Sequence, residues 1–197
     1  MRFLLTIFLI ILFTTPAYAD NVTESLDKAK DLYNQGKYYK AVTELNFAIG
    51  LIQDKQLEKF KSLLPEPPAG WKADQVEGSR APGQLMGGGI TVARNYTSSD
   101  GQKIRIEMIT DSPLLSSIMM FLSNPMMMGG AGTRLVSING EKGIEEWNPQ
   151  DKSGKIQIVL QNRMLISVSG NNLKSKNVLY DFAKNLDFTK IKKAMEE

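Results

Sequence analysis

GITVARNYTSSDGQKIRIEMIT, residues 89–110, is the stretch whose reading decides the fold class. Ile90 and Val92 alternate with their neighbours in residues 89–97, and Ile104, Ile106 and Met108 do so in residues 103–110. A period of two is the mark of a strand with one buried face. Ser98-Ser99-Asp100-Gly101 between the runs supplies turn chemistry, so the pair reads as a β-hairpin. Downstream, Asp111-Ser112-Pro113 sets an oxygen-bearing cap before a proline at the first helical position. Leu114, Leu115, Ile118, Met119 and Leu122 then share one helical face, and Asn124-Pro125 ends it. Further strands are expected at residues 133–138, 143–147, 155–161 and 164–169, with Asn139-Gly140 and Asn162-Arg163 as tight turns. A closing helix would bury Val178, Leu179, Phe182, Ala183 and Leu186, followed by a short amphipathic tail with Ile191 and Met195. Strands, one helix, more strands and a last helix make an α+β fold, an antiparallel sheet carrying two or three helices.

Upstream the period changes. Leu26, Ala29, Tyr33 and Gly36 fall three or four apart, and after a break at Gly36-Lys37 so do Ala41, Leu45, Ala48 and Ile52. This predicts a helical hairpin over residues 20–64, capped by Asn21 or Thr23, turned at Gly36, and continuing through Leu57 and Phe60 to Leu64. Pro65-Glu66-Pro67-Pro68-Ala69-Gly70 follows as a stiff linker, because each proline fixes its own φ and pushes its predecessor out of the helical region. The expected organisation is therefore a leader at 1–19, the hairpin at 20–64, the linker at 65–70 and an α+β domain at 71–197.

Three resemblances attach to these residues. Ala29, Leu32-Tyr33, Gly36, Tyr39, Ala41, Leu45 and Ala48-Ile49 resemble a single tetratricopeptide repeat, which implies small residues between the paired helices and an apolar face in need of a partner. The element order after Pro68-Ala69-Gly70-Trp71 is similar to small secreted domains of the PsbP and Mog1 type. The whole chain resembles an uncharacterised family of exported proteobacterial proteins with a helical hairpin, a proline linker and a Ser-Asn-Pro-Met-Met-Met segment, here Ser123 to Met128. That likeness implies architecture and no activity.

The amino terminus reads as a secretory signal peptide. Arg2 precedes an apolar run over residues 3–13, and Ala17-Tyr18-Ala19 offers a small-x-small cleavage site before Asp20. The run ends at Thr14-Thr15-Pro16, short of the roughly 20 residues a spanning helix needs. No cysteine follows the cleavage site, so no lipid anchor is expected, and the exported protein is placed in the periplasm or outside the cell. The chain contains no cysteine and no histidine, and its 24 basic and 21 acidic residues are interspersed. The fold must therefore hold by burial without disulfides, the commonest general base and metal ligand is missing, and the charge pattern lacks the clustered basic stripe of a nucleic-acid binder.

Candidate sites are few. Met119, Met120, Met126, Met127 and Met128 cluster before Gly129-Gly130-Ala131-Gly132. With no cysteine or histidine, thioether sulfur is the only soft donor, and soft donors select Cu(I), so copper binding at these five methionines is one alternative. The preferred reading of Met126, Met127 and Met128 is an adaptable apolar contact surface. Gly87-Gly88-Gly89 and residues 129–132 each precede a strand, whereas a phosphate cradle needs glycines before a helix. Ser116, Ser117, Ser167 and Ser169 have no histidine to activate them and stand in no nucleophile elbow. Glu145-Glu146 with Asp181 or Asp187 could serve a carboxylate hydrolase only if folding paired them, and consecutive residues on a strand face opposite sides; solvation at the surface is the expectation for each. Trp71 and Trp147 are expected at the core or its rim. Asn21-Val22-Thr23 and Asn95-Tyr96-Thr97 match a glycosylation sequon by chance in a chain with a bacterial-type leader.

The expectation is an exported binding or adaptor protein of the bacterial envelope, not an enzyme and without a cofactor. Its contact residues would be Tyr38, Tyr39, Met126, Met127 and Met128, and its partner an envelope protein or the membrane surface.

Overall fold

The computed structural model describes residues 20–80, 89–124 and 132–196. Two compact units divide inside a helix, Met1–Leu51 and Ile52–Glu197.

The first unit holds α1 (Asn21–Asn34) and most of α2 (Tyr38–Lys61). Asp20, and not the expected Asn21 or Thr23, closes the start of α1 by accepting a hydrogen bond from the Val22 amide at 3.4 Å. Gly36 ends it with φ +70°, a conformation that favours glycine. The Gly36 amide donates to the Tyr33 carbonyl and the Lys37 amide to the Leu32 carbonyl, the paired bonds of a Schellman stop. Small side chains, Ser25 and Ala29 on α1 and Ala41 and Ala48 on α2, are buried, and Lys28 bridges to Glu44 at 2.9 Å across the pair.

The second unit is an antiparallel sheet with helices on both faces, as the alternation and element order imply. Its strands are β1 (Trp71–Ala73), β2 (Glu77–Arg80), β3 (Ile90–Ser98), β4 (Lys103–Thr110), β5 (Thr133–Ile138), β6 (Glu141–Asn148), β7 (Ser153–Leu160) and β8 (Met164–Asn171). The order runs β1-β3-β4-β8-β7-β6-β5, with β2 also on β3. Ala73 pairs with Tyr96 and Glu77 with Ala93, so three residues of one strand oppose two of the other. That count is a β-bulge, and β1 and β2 are one bent edge. The turn expected at Asn162-Arg163 sits one residue earlier, because Gln161 and Asn162 take positive φ of 48° and 55°. The closing helix is interrupted into α4 (Asn177–Lys184) and α5 (Phe188–Glu196).

Period-two alternation sends Val92, Tyr96, Ile106, Met108, Ile156, Ile158, Ile166 and Val168 to one face. There they meet Leu179 and Phe182 from α4, Leu186 from the break after it and Ile191 from α5, and Phe60 and Leu64 from the end of α2 and the turn beyond it. The proline stretch 65–70 therefore lies within the second unit. Arg94 locks it in place, donating to the Pro65 carbonyl at 3.0 Å and to both Glu66 oxygens, while the Tyr96 hydroxyl donates to the same carbonyl at 2.7 Å. Trp71 stacks edge-on against Phe182 at 4.8 Å and Trp147 packs on the same core, as expected for rim residues.

Among the described residues the opposite face is covered only in part. Helix α3 (Leu115–Ser123) buries Leu115 and Ile118 against Ile144, Leu165 and Val159.

Candidate functional site

On the side of the sheet that carries α3, strand register sorts residues into rows. Ile109, Leu165 and Val159 form an apolar row, and Glu107, Ser167, Gln157 and Ile144 a mixed one. Beyond them, Asn95, Arg105, Ser169, Lys155 and Glu146 lie side by side, then Lys72, Thr97, Lys103 and Asn171. These last rows floor an open depression of about 770 Å³. Its charges are largely matched: Arg105 contacts Glu77 and the Asn95 amide oxygen, both at 3.1 Å, and Lys155 contacts Glu146 at 3.2 Å. Ser169 donates to the Arg105 carbonyl at 3.5 Å, which gives it no base. The arrangement is that of an antiparallel sheet with a solvated half-face.

Glu145 and Glu146 point to opposite faces, as the strand period requires. Solvation at the surface does not hold for Glu145, which is 1 % exposed. Its carboxylate accepts from the Arg134 Nε on β5 and from the Tyr180 hydroxyl on α4, with the Lys176 ammonium 3.7 Å away. Burial is the main force pushing the Tyr180 phenol up to about 12, and the hydrogen bond to Glu145 adds to it. Asp187 instead pairs with Lys190 at 3.4 Å, and Asp181 is exposed. Glu145 is thus held between Arg134 and Tyr180, and Asp187 by Lys190. Among the described residues no group of three or more acidic side chains could hold a metal ion.

Of the five methionines, Met119 is half-buried and Met120 is exposed on α3, while Met126, Met127 and Met128 lie outside the described residues. Adjacent positions on a helix point about 100° apart, so Met119 and Met120 do not converge on one point.

The helical pair carries the most unusual surface. Tyr38 and Tyr39 are 62 % and 86 % exposed, and the Tyr38 ring lies 5.4 Å from that of Tyr33. Leu26, Val42, Leu45, Phe47 and Ile49 are exposed as well. Twelve large apolar side chains are exposed among the described residues, and eight of them belong to the first unit: these five with Tyr33, Tyr38 and Tyr39. Only Ile52, Leu114, Met120 and Leu135 belong to the much larger second unit. Helical spacing in the sequence located the faces of α2, but not which one would be left open.

The fold and this surface define the class: an α+β protein whose sheet unit is preceded by a helical pair that exposes eight large apolar side chains. Compared with known proteins, the chain matches no family model, no curated protein and no solved structure.

Proposed function

We propose that this chain is an exported binding or adaptor protein of the bacterial envelope, acting by contact and without turnover. Its contact residues are Tyr38 and Tyr39 on the helical pair, joined by Met126, Met127 and Met128. The partner is an envelope protein. The observation that supports this reading is the concentration of eight exposed large apolar side chains in the first unit. Contiguous apolar surface on a soluble protein marks a contact site, because each Å² left in water forgoes about 25 cal/mol. Tyrosine suits such a face, with an apolar ring for contact and a hydroxyl that stays wet. Export is supported by the order of Arg2, the apolar run and Ala17-Tyr18-Ala19.

The test is a photo-activated cross-linker at position 39 in intact cells. A discrete adduct with one envelope protein, abolished by Tyr38→Asp, is the expected result. Equal cross-linking to many proteins, or steady conversion of a metabolite by the purified protein, would replace this reading.

A further inference from the structure

The sheet unit carries a second concavity, of about 600 Å³, at its β5 edge. Strand register sets Arg134 opposite Glu145, and the Trp147 amide donates to the Gly132 carbonyl, so Arg134, Glu145 and Trp147 share one side of the sheet there. Trp147 and Pro149 supply apolar walls, and Arg134 is the only cation among the lining residues. The indole ring is seated against Gly154, where a Cβ would come within 2.8 Å of it. Its N–H has no hydrogen-bond partner, and since no buried polar side-chain atom among the described residues lacks one, that donor opens to water.

Arg134 is oriented by its surroundings. Its Nε donates to the buried Glu145 carboxylate, which the Tyr180 hydroxyl holds from α4. A guanidinium is planar, so fixing Nε sets the direction of the other two nitrogens. Among the described residues neither Nη1 nor Nη2 has a partner. These are the two parallel donors that a carboxylate accepts as a fork. The local charge agrees with an anionic ligand. Lys176 stands 3.7 Å from Glu145, so Arg134 and Lys176 set two positive charges against one negative.

The geometry points to a binding site at the β5 edge for a carboxylate on an aromatic body, the acid taken by Nη1 and Nη2 of Arg134 and the ring packed against Trp147. Glu145 is its positioning residue. The volume falls within the range of small-ligand sites. Such a carboxylate ends a polypeptide chain or belongs to a small free acid, and the chemistry of the site is the same for both. The site belongs to the sheet unit and does not depend on the contact face of the helical pair.

Trp71→Phe leaves Trp147 as the only tryptophan of the chain, so its fluorescence reads the site in the full protein. N-acetylphenylalanine and a peptide ending in phenylalanine should each change that signal saturably. The same peptide amidated at its terminus should bind roughly tenfold more weakly or worse, because the charge-assisted bonds are gone. Equal affinity of the two acids assigns the site to a small free acid, and a tighter peptide assigns it to a chain terminus. Arg134→Lys keeps a positive charge beside Glu145 but has no fork, and should weaken binding by a similar factor. Lys155→Gln, in the depression described above, should leave binding unchanged. Circular dichroism would show that each variant is folded, and the amidated peptide tests the same contact without any change to Arg134. No saturable change with either acid, an amide that binds as tightly as the acid, or an Arg134→Lys protein that binds as the parent does would each overturn the proposal. None of these outcomes removes the adduct expected at position 39, so the two readings fail separately.

Discussion

Glu145→Gln probes a buried polar contact of the sheet unit. The carboxylate is buried and takes hydrogen bonds from Arg134 on the edge strand and Tyr180 on α4, so it ties three elements together. The amide keeps the volume and one acceptor for Arg134, but loses the charge and turns its NH2 toward the Tyr180 hydroxyl, which must then accept and leave its own proton unmatched. A hydrogen bond to a charged group contributes about 1.5–3 kcal/mol, and an unmatched buried donor costs about as much. Against this, the Arg134 side chain is 54 % exposed and can turn to water once its partner is neutral. The expected loss is therefore about 2 kcal/mol, below the roughly 3–5 kcal/mol of breaking a fully buried pair. For a unit of this size that corresponds to a fall in Tm of about 4–8 °C. Urea unfolding should show the midpoint shift with an unchanged slope. Tyr180→Phe should cost about 1 kcal/mol, and the double variant should fall short of the sum, because both changes remove one network. A Glu145→Gln protein within about 0.5 kcal/mol of the parent would show that the carboxylate is not held as described.

Alkaline pH should destabilise the sheet unit in a defined window. The Tyr96 and Tyr180 phenols are both pushed up to about 12, chiefly by burial, against about 10 in the unfolded chain. Their contribution is complete below pH 10 and is lost as pH rises from there through 12, which chemical denaturation followed by tyrosinate absorbance would detect. Phe182→Ala removes the ring that Trp71 and Tyr96 pack on, and should cost about 3–5 kcal/mol in urea unfolding. Gly89→Ala would bring a methyl to 2.1 Å from the Thr110 carbonyl oxygen. Backbone must move to admit it, so a loss of about 1–3 kcal/mol is expected, while Gly140→Ala, with nothing within 4 Å, should show only the smaller strain of its φ of +88°.

How much of this could be read from residues alone follows from what each element uses to hold itself. The β3–β4 hairpin advertised itself because Ile90, Val92, Ile104, Ile106 and Met108 all face the helices. The helical pair did so through its spacing and Gly36. Edge strand β2 carries no such signal: Glu77, Gly78, Ser79 and Arg80 are all exposed, and only backbone pairing to β3 makes them a strand. The turn at Gln161-Asn162 was misplaced because glutamine rarely adopts positive φ, and here the β7–β8 register demands it. Burial of Glu145 escaped a reading in which charges are solvated. A signal did exist, since alternation places Glu145 on the face of Trp147, and register sets Arg134 directly opposite it. Tyr180 and Lys176, distant in sequence, could not have been anticipated that way.

The two units treat apolar surface in opposite ways, and that contrast carries the functional argument. In the sheet unit α4, α5 and the end of α2 cover one face, α3 covers the apolar rows of the other, and the rows left open hold polar side chains that largely satisfy one another. A surface already satisfied gains little from a ligand, since its ion pairs must be broken before new contacts form. Within the helical pair, the contact between its two α-helices consumes alanine and serine. The larger residues, tyrosines among them, are left on the outside. Apolar side chains so placed cost stability in the free protein and return it only when covered. On the proposed reading, the apolar surface left to be covered by binding is thus concentrated on the helical pair and not in the depression of the sheet.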